Sequence, residues 1–548
     1  MEAMEVHKVK DVDVASATKI FLVLIATSSM VNFDSGGTAA ILVHLSRGCA
    51  LPTLAGNTTW QMDPDPNYPC LDDWDKGVLG ACPYVGLCIG CPLFGELLRA
   101  ASEKKVLVAS LVGNIIATFI FASVLDKYYL WYSKLLVGLT QSALSIYAPV
   151  WVSKFAPVDR KTLWYGLMQS STAIGNLVGY AVCGYLVNLG VFYQHAFQIQ
   201  AFWLMATCAL LLPIAAERID VSAHPEPSSP QLLAGANPPC RERYSLDLEC
   251  ALLSLEEEDC FGNRAAQEAH HDAVGSTNKC ARSGPALSLT ADSGPLAQLV
   301  GLSRCHLFLG TVAAICGLYF VVTAVQYWAS QYFILDFQRP GSEVTTVFIV
   351  VAGSAPILGV IVGSAFVDSH GGYETPPQMA RTAKLALSWG ACAAIAGIGA
   401  SLVGPLPFQT PGATSRFHAE VAFIWLLLLF GGAVLPAVTG LGMASVPRSL
   451  RKSASSWSML LYNVFGFGLG SYLPGYVAKQ LSLRLAMVTV FLWSFQSLLA
   501  LAWTHVLARR SARQFAAEMG ELDYMEWAPN SDSDFSAFDR VEMTEQIH

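Results

Sequence analysis

Apolar residues in this chain are gathered into twelve runs of about twenty, parted by short polar turns and, once, by a long polar stretch. The runs lie near residues 19–45, 77–98, 106–125, 130–153, 163–187 and 195–215, then 306–335, 344–367, 383–403, 419–441, 455–477 and 485–507. At 1.5 Å per residue, a helical run of about twenty residues crosses a hydrocarbon core about 30 Å thick. Lipid offers no partner to backbone N–H and C=O groups, so the crossing segments must be helices. The pattern predicts an all-α membrane protein of twelve transmembrane helices.

Composition agrees: 53% of the 548 residues are hydrophobic and only 14% are charged, too apolar for a soluble protein. Basic residues then orient the chain. Arg99, Lys104, Lys105, Lys154, Arg160, Lys161, Arg381, Lys384, Arg448, Arg451, Lys452, Arg509, Arg510 and Arg513 all fall on one side of a twelve-span arrangement. That side is expected to be cytosolic, together with both termini. The opposite side carries one long loop, 46–76, which contains the sequon Asn57-Thr58-Thr59 and two cysteines, Cys49 and Cys70. An exoplasmic loop of this kind is expected to be glycosylated at Asn57 and closed by a Cys49–Cys70 disulfide. The first apolar run is too long for a signal-peptide core and should act as an uncleaved anchor.

The organisation expected is a cytosolic N-terminus (1–18), a six-helix bundle (19–215), a disordered cytosolic linker (216–303), a second six-helix bundle (304–507) and an acidic cytosolic tail (508–548). The linker is rich in Pro, Ser, Gly and acidic residues. Its His270-His271 pair and Cys240, Cys250, Cys260 and Cys280 lack the tight spacing of a structural zinc site, so no metal is expected.

Two six-span halves around a long linker suggest pseudo-symmetric bundles that rock about a central site. Such halves should carry matching gating loops after spans two and eight. Gly95, Arg99 and Lys104 stand in the first, and Gly363 and Asp368 in the second. A small residue there would permit close helix approach, and a charge would pair with a neighbouring loop or helix end.

Several short motifs resemble the major facilitator superfamily, and within it the spinster-like branch. They are Asn32-Phe33-Asp34, Asp75-Lys76-Gly77-Val78-Leu79 running into Cys91-Pro92-Leu93-Phe94-Gly95, and Val137-Gly138-Leu139 with Tyr147-Ala148-Pro149. Gln326-Tyr327-Trp328 follows in span seven. Ala454-Ser455-Ser456 with Tyr462-Asn463-Val464-Phe465-Gly466 completes the set in span eleven. The resemblance covers all twelve spans but neither linker nor tail, and it implies transport by alternating access. Departures are informative. Arg99 occupies the acidic position of the family's loop after span two, and span four carries Lys134 and Gln141 where spinster-like proteins usually have Arg and Glu. The cation is kept and the titratable acid lost, which weighs against proton coupling through that group. The P-E-S-P-R run of sugar porters and the G-x-x-x-x-G-K-[ST] phosphate loop are both absent, so ATP-driven export is not expected.

An ionisable group inside a span costs about 2.5–3.5 kcal/mol on insertion scales and defaults to function or pairing. Asp34 is the first candidate, for a proton, a cation or a permanent basic partner. Lys134 could hold a substrate anion, pair with Asp34 or snorkel to the headgroups. Gln141 shares its azimuth, seven residues on. Tyr147, Asn176, Gln326, Tyr327, Trp328 and Asn463 would complete a cavity lining, although each alone reads as ordinary packing or an interhelical hydrogen bond. The expected function is transport of a small organic solute or lysolipid-like substrate, without cofactor or nucleic acid, with a proton or ion as a coupling partner. The host would be the plasma membrane or an endolysosomal or vacuolar membrane. The alternatives are a non-transporting receptor built on a transporter fold and, more remotely, a membrane enzyme, for which His195, His306 and His505 offer no evident acid partner.

Overall fold

The computed structural model describes residues 2–49, 65–157, 161–220, 300–370, 372–373, 375–404, 414–447 and 450–518. Asn57, nearly all of the linker and the tail beyond residue 518 lie outside the described residues, as does the side chain of Arg99. Among the described residues there is no strand.

The first bundle comprises α1 (Glu2–Ile41), α2 (Asp73–Ala100), α3 (Glu103–Ser123), α4 (Lys127–Phe155), α5 (Lys161–Asn188) and α6 (Tyr193–Leu211). The second comprises α7 (His306–Leu335), α8 (Gly341–Ser369), α9 (Pro376–Val403) and α10 (Thr414–Ala444), followed by two interrupted helices. In α11, Arg451–Leu461 runs into a π-helical turn, Tyr462–Gly468, and continues as Leu469–Gln480. In α12, Leu483–Leu492 continues past Trp493 as Ser494–Glu518. Nine of these twelve are individually long and apolar enough to cross a membrane. The other three are α5 and α6, whose runs are diluted by Ser, Gln and Tyr, and α11, which is broken by its π turn. Neighbouring helices supply partners for such polar positions, which is why a bundle tolerates them.

Acidic residues start two of the helices at one end of the molecule. Asp72 caps α2 in a reciprocal pairing with Asp75, and Asp126 accepts from the Tyr128 and Tyr129 N–H groups at α4. Packing is repeated between the halves. The α1–α5, α2–α4 and α3–α6 pairs of the first bundle correspond to α7–α11, α8–α10 and α9–α12 in the second. Close crossings make this possible: a Cβ on Gly36 would stand 1.8 Å from the Asn176 carbonyl of α5, and one on Gly359 2.1 Å from the Leu429 carbonyl of α10. Nothing larger than glycine fits at either crossing.

Alternation of the helices puts the α1–α2 loop at one end, where Cys49 is bonded to Cys70. We refer to this as the disulfide end and to the other, which bears the lysine- and arginine-bearing turns, as the basic end. In the loop, burial and the neighbouring Arg47 push the His44 imidazole down to about 3, so it stays neutral.

Candidate functional site

Asp34 and Lys134 meet. The Lys134 Nζ donates to Asp34 Oδ1 at 2.5 Å and to Thr38 Oγ1 at 2.6 Å, joining α4 to α1 inside the first bundle. Both side chains are buried, Lys134 at 1% exposure, so the ammonium does not snorkel. The rings of Phe121 and Phe197 stand 3.7 and 4.9 Å from it and close its α3–α6 side. Two turns along α4, the Gln141 amide donates to Asn32 Oδ1 at 2.9 Å, so the same two helix faces are tied twice.

Not every expected lining residue joins this set. Tyr147 is sealed in the first bundle's core near the basic end, where its hydroxyl donates to the Ile219 carbonyl. Asn176 sits half-buried at the α1–α5 crossing with its Oδ1 unpartnered. Tyr327 reaches across to α2, donating to the Lys76 carbonyl at 2.8 Å, while Trp328 donates to the Ser471 carbonyl of α11. Gln326 is half-buried on α7, and Asn463 bonds back to the Met459 carbonyl within the π turn.

The gating-loop residues also divide. Gly363 is packed hard on Ala433, but a Cβ on Gly95 would meet nothing within 4 Å, so close approach is not the reason for a glycine there. Lys104 donates to the Leu212 and Ile214 carbonyls, where an ammonium offsets the dipole at the end of α6. Asp368 is exposed at the end of α8.

Sequence reading missed an aromatic group at the bundle interface. Tyr84, about 16 Å along α2 from its start, stacks on Phe467 of the π turn with centroids 5.2 Å apart. Phe467 in turn stacks on Tyr319 at 4.5 Å, and Tyr319 meets Tyr462 at 5.1 Å. Tyr84 and Tyr327 both lie in electrostatic reach of Asp34. A π turn leaves backbone groups in irregular register and often marks a functional site.

Toward the disulfide end the bundles are fastened. Lys76 Nζ donates to Gln331 Oε1 at 3.1 Å, and Gln331 Nε2 donates to Asp73 Oδ1 at 2.8 Å. Trp74 Nε1 donates to the Tyr472 hydroxyl, and Lys479 pairs with Asp72 at 2.9 Å. On the other flank, Tyr180 bonds Ser330, Asn188 donates to Thr345, and Tyr185 bonds Thr346. Together these close the disulfide end between α2, α5, α7, α8 and α11. For Asp72, burial pulls upward, but the Asp75 N–H and the Lys479 ammonium outweigh it and hold the carboxyl below its usual range.

A Major Facilitator Superfamily model matches residues 37–464. The chain belongs to that superfamily. It is a membrane transporter of the alternating-access kind, and the receptor alternative has no support. Among solved structures it is similar to a bacterial homolog of the human lysosomal transporter Spinster, inward-facing and unoccupied, at 12% identity and TM-score 0.56, covering 94% of this chain and 99% of that one. The occupied form of the same homolog gives 12% and 0.55 with the same coverage. A D-xylose-proton symporter gives 11% and 0.57, covering 88% of this chain and 96% of its own. No curated protein matches the sequence significantly.

Proposed function

We propose that this transporter carries an amphipathic organic solute, anionic or zwitterionic and lysolipid-like, between its two bundles. The observation behind this reading is the cross-bundle aromatic group at Tyr84, Phe467, Tyr319 and Tyr462, inward of a closed gate, whose Tyr84 lies in electrostatic reach of Asp34 of the buried Asp34–Lys134 pair. Aromatic faces receive an apolar body, and a buried ion pair responds to a charged head. In the closed state Lys134 is spoken for by Asp34. A solute charge that competes for either partner would loosen α1 from α4, and that exchange is how the pair would sense cargo. Asn32 and Gln141 would keep the two helices in register meanwhile, and Gln326, Tyr327, Trp328, Asn176 and Asn463 would border the path.

In this reading the basic end, both termini, the linker and the tail face the cytosol, and the disulfide end is exoplasmic, with Asn57 open to glycosylation. The chain is then closed toward the outside or a lumen, in the plasma membrane or an endolysosomal membrane. The spinster-like motifs and the shared fold support this branch.

Flux into proteoliposomes tests the reading. Labelled lysophospholipids and other charged amphiphiles should move faster than into empty vesicles, with free sugars unmoved. Sugar flux with no amphiphile flux would overturn it.

Gate closure should also depend on pH. Asp336, just past α7, is pushed up to about 6 by burial, helped by Asp73 and opposed by Arg484. A carboxyl raised in the closed state binds its proton there more tightly than when hydrated. The closed state is therefore favoured in acid, and that advantage is lost as pH rises through about 6. Spin labels at Leu189→Cys and Leu481→Cys, exposed on opposite bundles at this end, should separate as pH rises. Asp336→Asn should blunt the change. An identical pH profile in that variant would remove Asp336 from the gate.

A further inference from the structure

Glu420 lies six residues into α10, about 9 Å along the helix from its disulfide-end start. It is 0% exposed, and among the described residues neither carboxylate oxygen has a hydrogen-bond partner. Its own helix face carries half-buried Arg416 one turn back, with buried Phe417 and Ile424. The opposite face, with His418, Val421 and Trp425, lines a shallow apolar groove against α8 instead.

The ionisable surroundings are sparse. Tyr332 of α7 is in electrostatic reach of Glu420, and Asp336 and Arg484 act on that same tyrosine. Arg339 lies over the Phe417 ring at 5.0 Å and pairs with Glu343 of α8 at 3.8 Å. The remaining charged side chains of α8 and α9 (Asp368, Arg381 and Lys384) stand at the basic ends of their helices. Among the described residues no hydrogen-bond donor or ion-pair partner offsets the desolvation of a bare carboxylate here. A carboxylic acid avoids that cost by holding a proton. A glutamate kept only for packing would do the same work less well than glutamine or leucine.

Position connects this acid to the gate. Gln331 is the α7 residue that bridges Asp73 and Lys76, and Tyr332 is the next residue along. Tyr332 turns into the second bundle, where its ring packs on Phe333 and Phe337, and so links the gate segment of α7 to the neighbourhood of Glu420. We propose that Glu420 is a protonation site that must take a proton from water at the disulfide end before the gate can close over it. The carboxylate accepts one proton on an Oε atom, becomes neutral and is then buried. Reopening returns the proton to water or leaves it to travel with the cargo. This goes beyond the solute reading and can be measured without any solute.

Two experiments on the full-length protein in nanodiscs test it. Dicyclohexylcarbodiimide reacts with a protonated carboxyl in an apolar site: the acid's proton and oxygen add across the reagent's C=N bond, and the adduct rearranges to a stable N-acylurea. Peptide mass spectrometry should find the label on Glu420 at acid pH, falling about tenfold per pH unit above the carboxyl's midpoint. Asp34, already engaged by Lys134, should stay unlabelled, and Glu420→Gln should lose the signal. Glu420 labelled no more than Asp34 at every pH would overturn the proposal. The second experiment follows the Leu189→Cys/Leu481→Cys distance in an Asp336→Asn background. The pH dependence that remains there should vanish when Glu420→Gln is added, leaving the gate closed throughout. A flat profile before that change, or an unaltered one after it, would equally overturn the assignment.

Discussion

Lys134→Ala should destabilise the protein by about 3–5 kcal/mol, the cost of stranding a buried charge whose partner has been removed. The strand left behind is Asp34, buried at 1% exposure, with the space between Phe121 and Phe197 emptied as well. Thermal melting of the purified protein would read this directly. The double variant Asp34→Asn/Lys134→Met should recover most of the lost stability, because neutral groups of similar volume often replace a buried pair at little cost. It should nonetheless fail to transport, since nothing remains that can exchange one charge partner for another. Lys134→Arg should fall between, its planar fork being a poor match for a compact ammonium held over two rings. If the stable double variant carries solute at the wild-type rate, the pair is architecture and not a switch.

Gly77→Val should hold the disulfide end open while leaving both bundles folded. A Cβ on Gly77 would stand 2.9 Å from the Tyr472 carbonyl and 3.4 Å from the Gly475 Cα, both on α11 across the interface. The two valine methyls reach further still. Overpacking of this kind costs about 1–3 kcal/mol, and here the cost falls on the closed state alone. That shifts the closed-to-open ratio by about 5- to 150-fold. The Leu189/Leu481 label distance should lengthen, and uptake should slow because closure becomes the difficult step. A distance distribution like that of the wild type would show that α2 and α11 do not form the closing contact. Gly36→Ala offers the contrast. Its Cβ meets the Asn176 carbonyl at 1.8 Å within one bundle, so opening the gate cannot relieve it and folding itself should suffer.

Asp34 and Lys134 were both conspicuous in sequence because an ion in an apolar run is costly wherever it sits. Their partnership was only one of several readings, since a hundred residues separate them and nothing local joins α1 to α4. Tyr147 shows the reverse: its motif neighbours suggested the cavity, yet its azimuth on α4 turns it into the bundle core. Nothing local sets Glu420 apart, since an acid near the start of an apolar run suits an interfacial residue equally well. Only packing shows that α7 covers it. The π turn has no sequence signal beyond the glycines and aromatics of Tyr462–Gly468, which also suit an ordinary helix.

From the sequence alone came the run lengths, the pairing of six spans with six, the basic side and the identity of the costly charges. Each of these follows from local composition against a bilayer of fixed thickness. Tertiary structure alone decided which end is closed, that Lys134 is spent on Asp34, that Tyr84 and Phe467 meet, and that Glu420 is left without a partner. These depend on which faces two helices turn toward each other. Side-chain azimuth and helix crossing, set by contacts as close as Gly36 on Asn176, govern that choice, and no stretch of sequence carries it by itself.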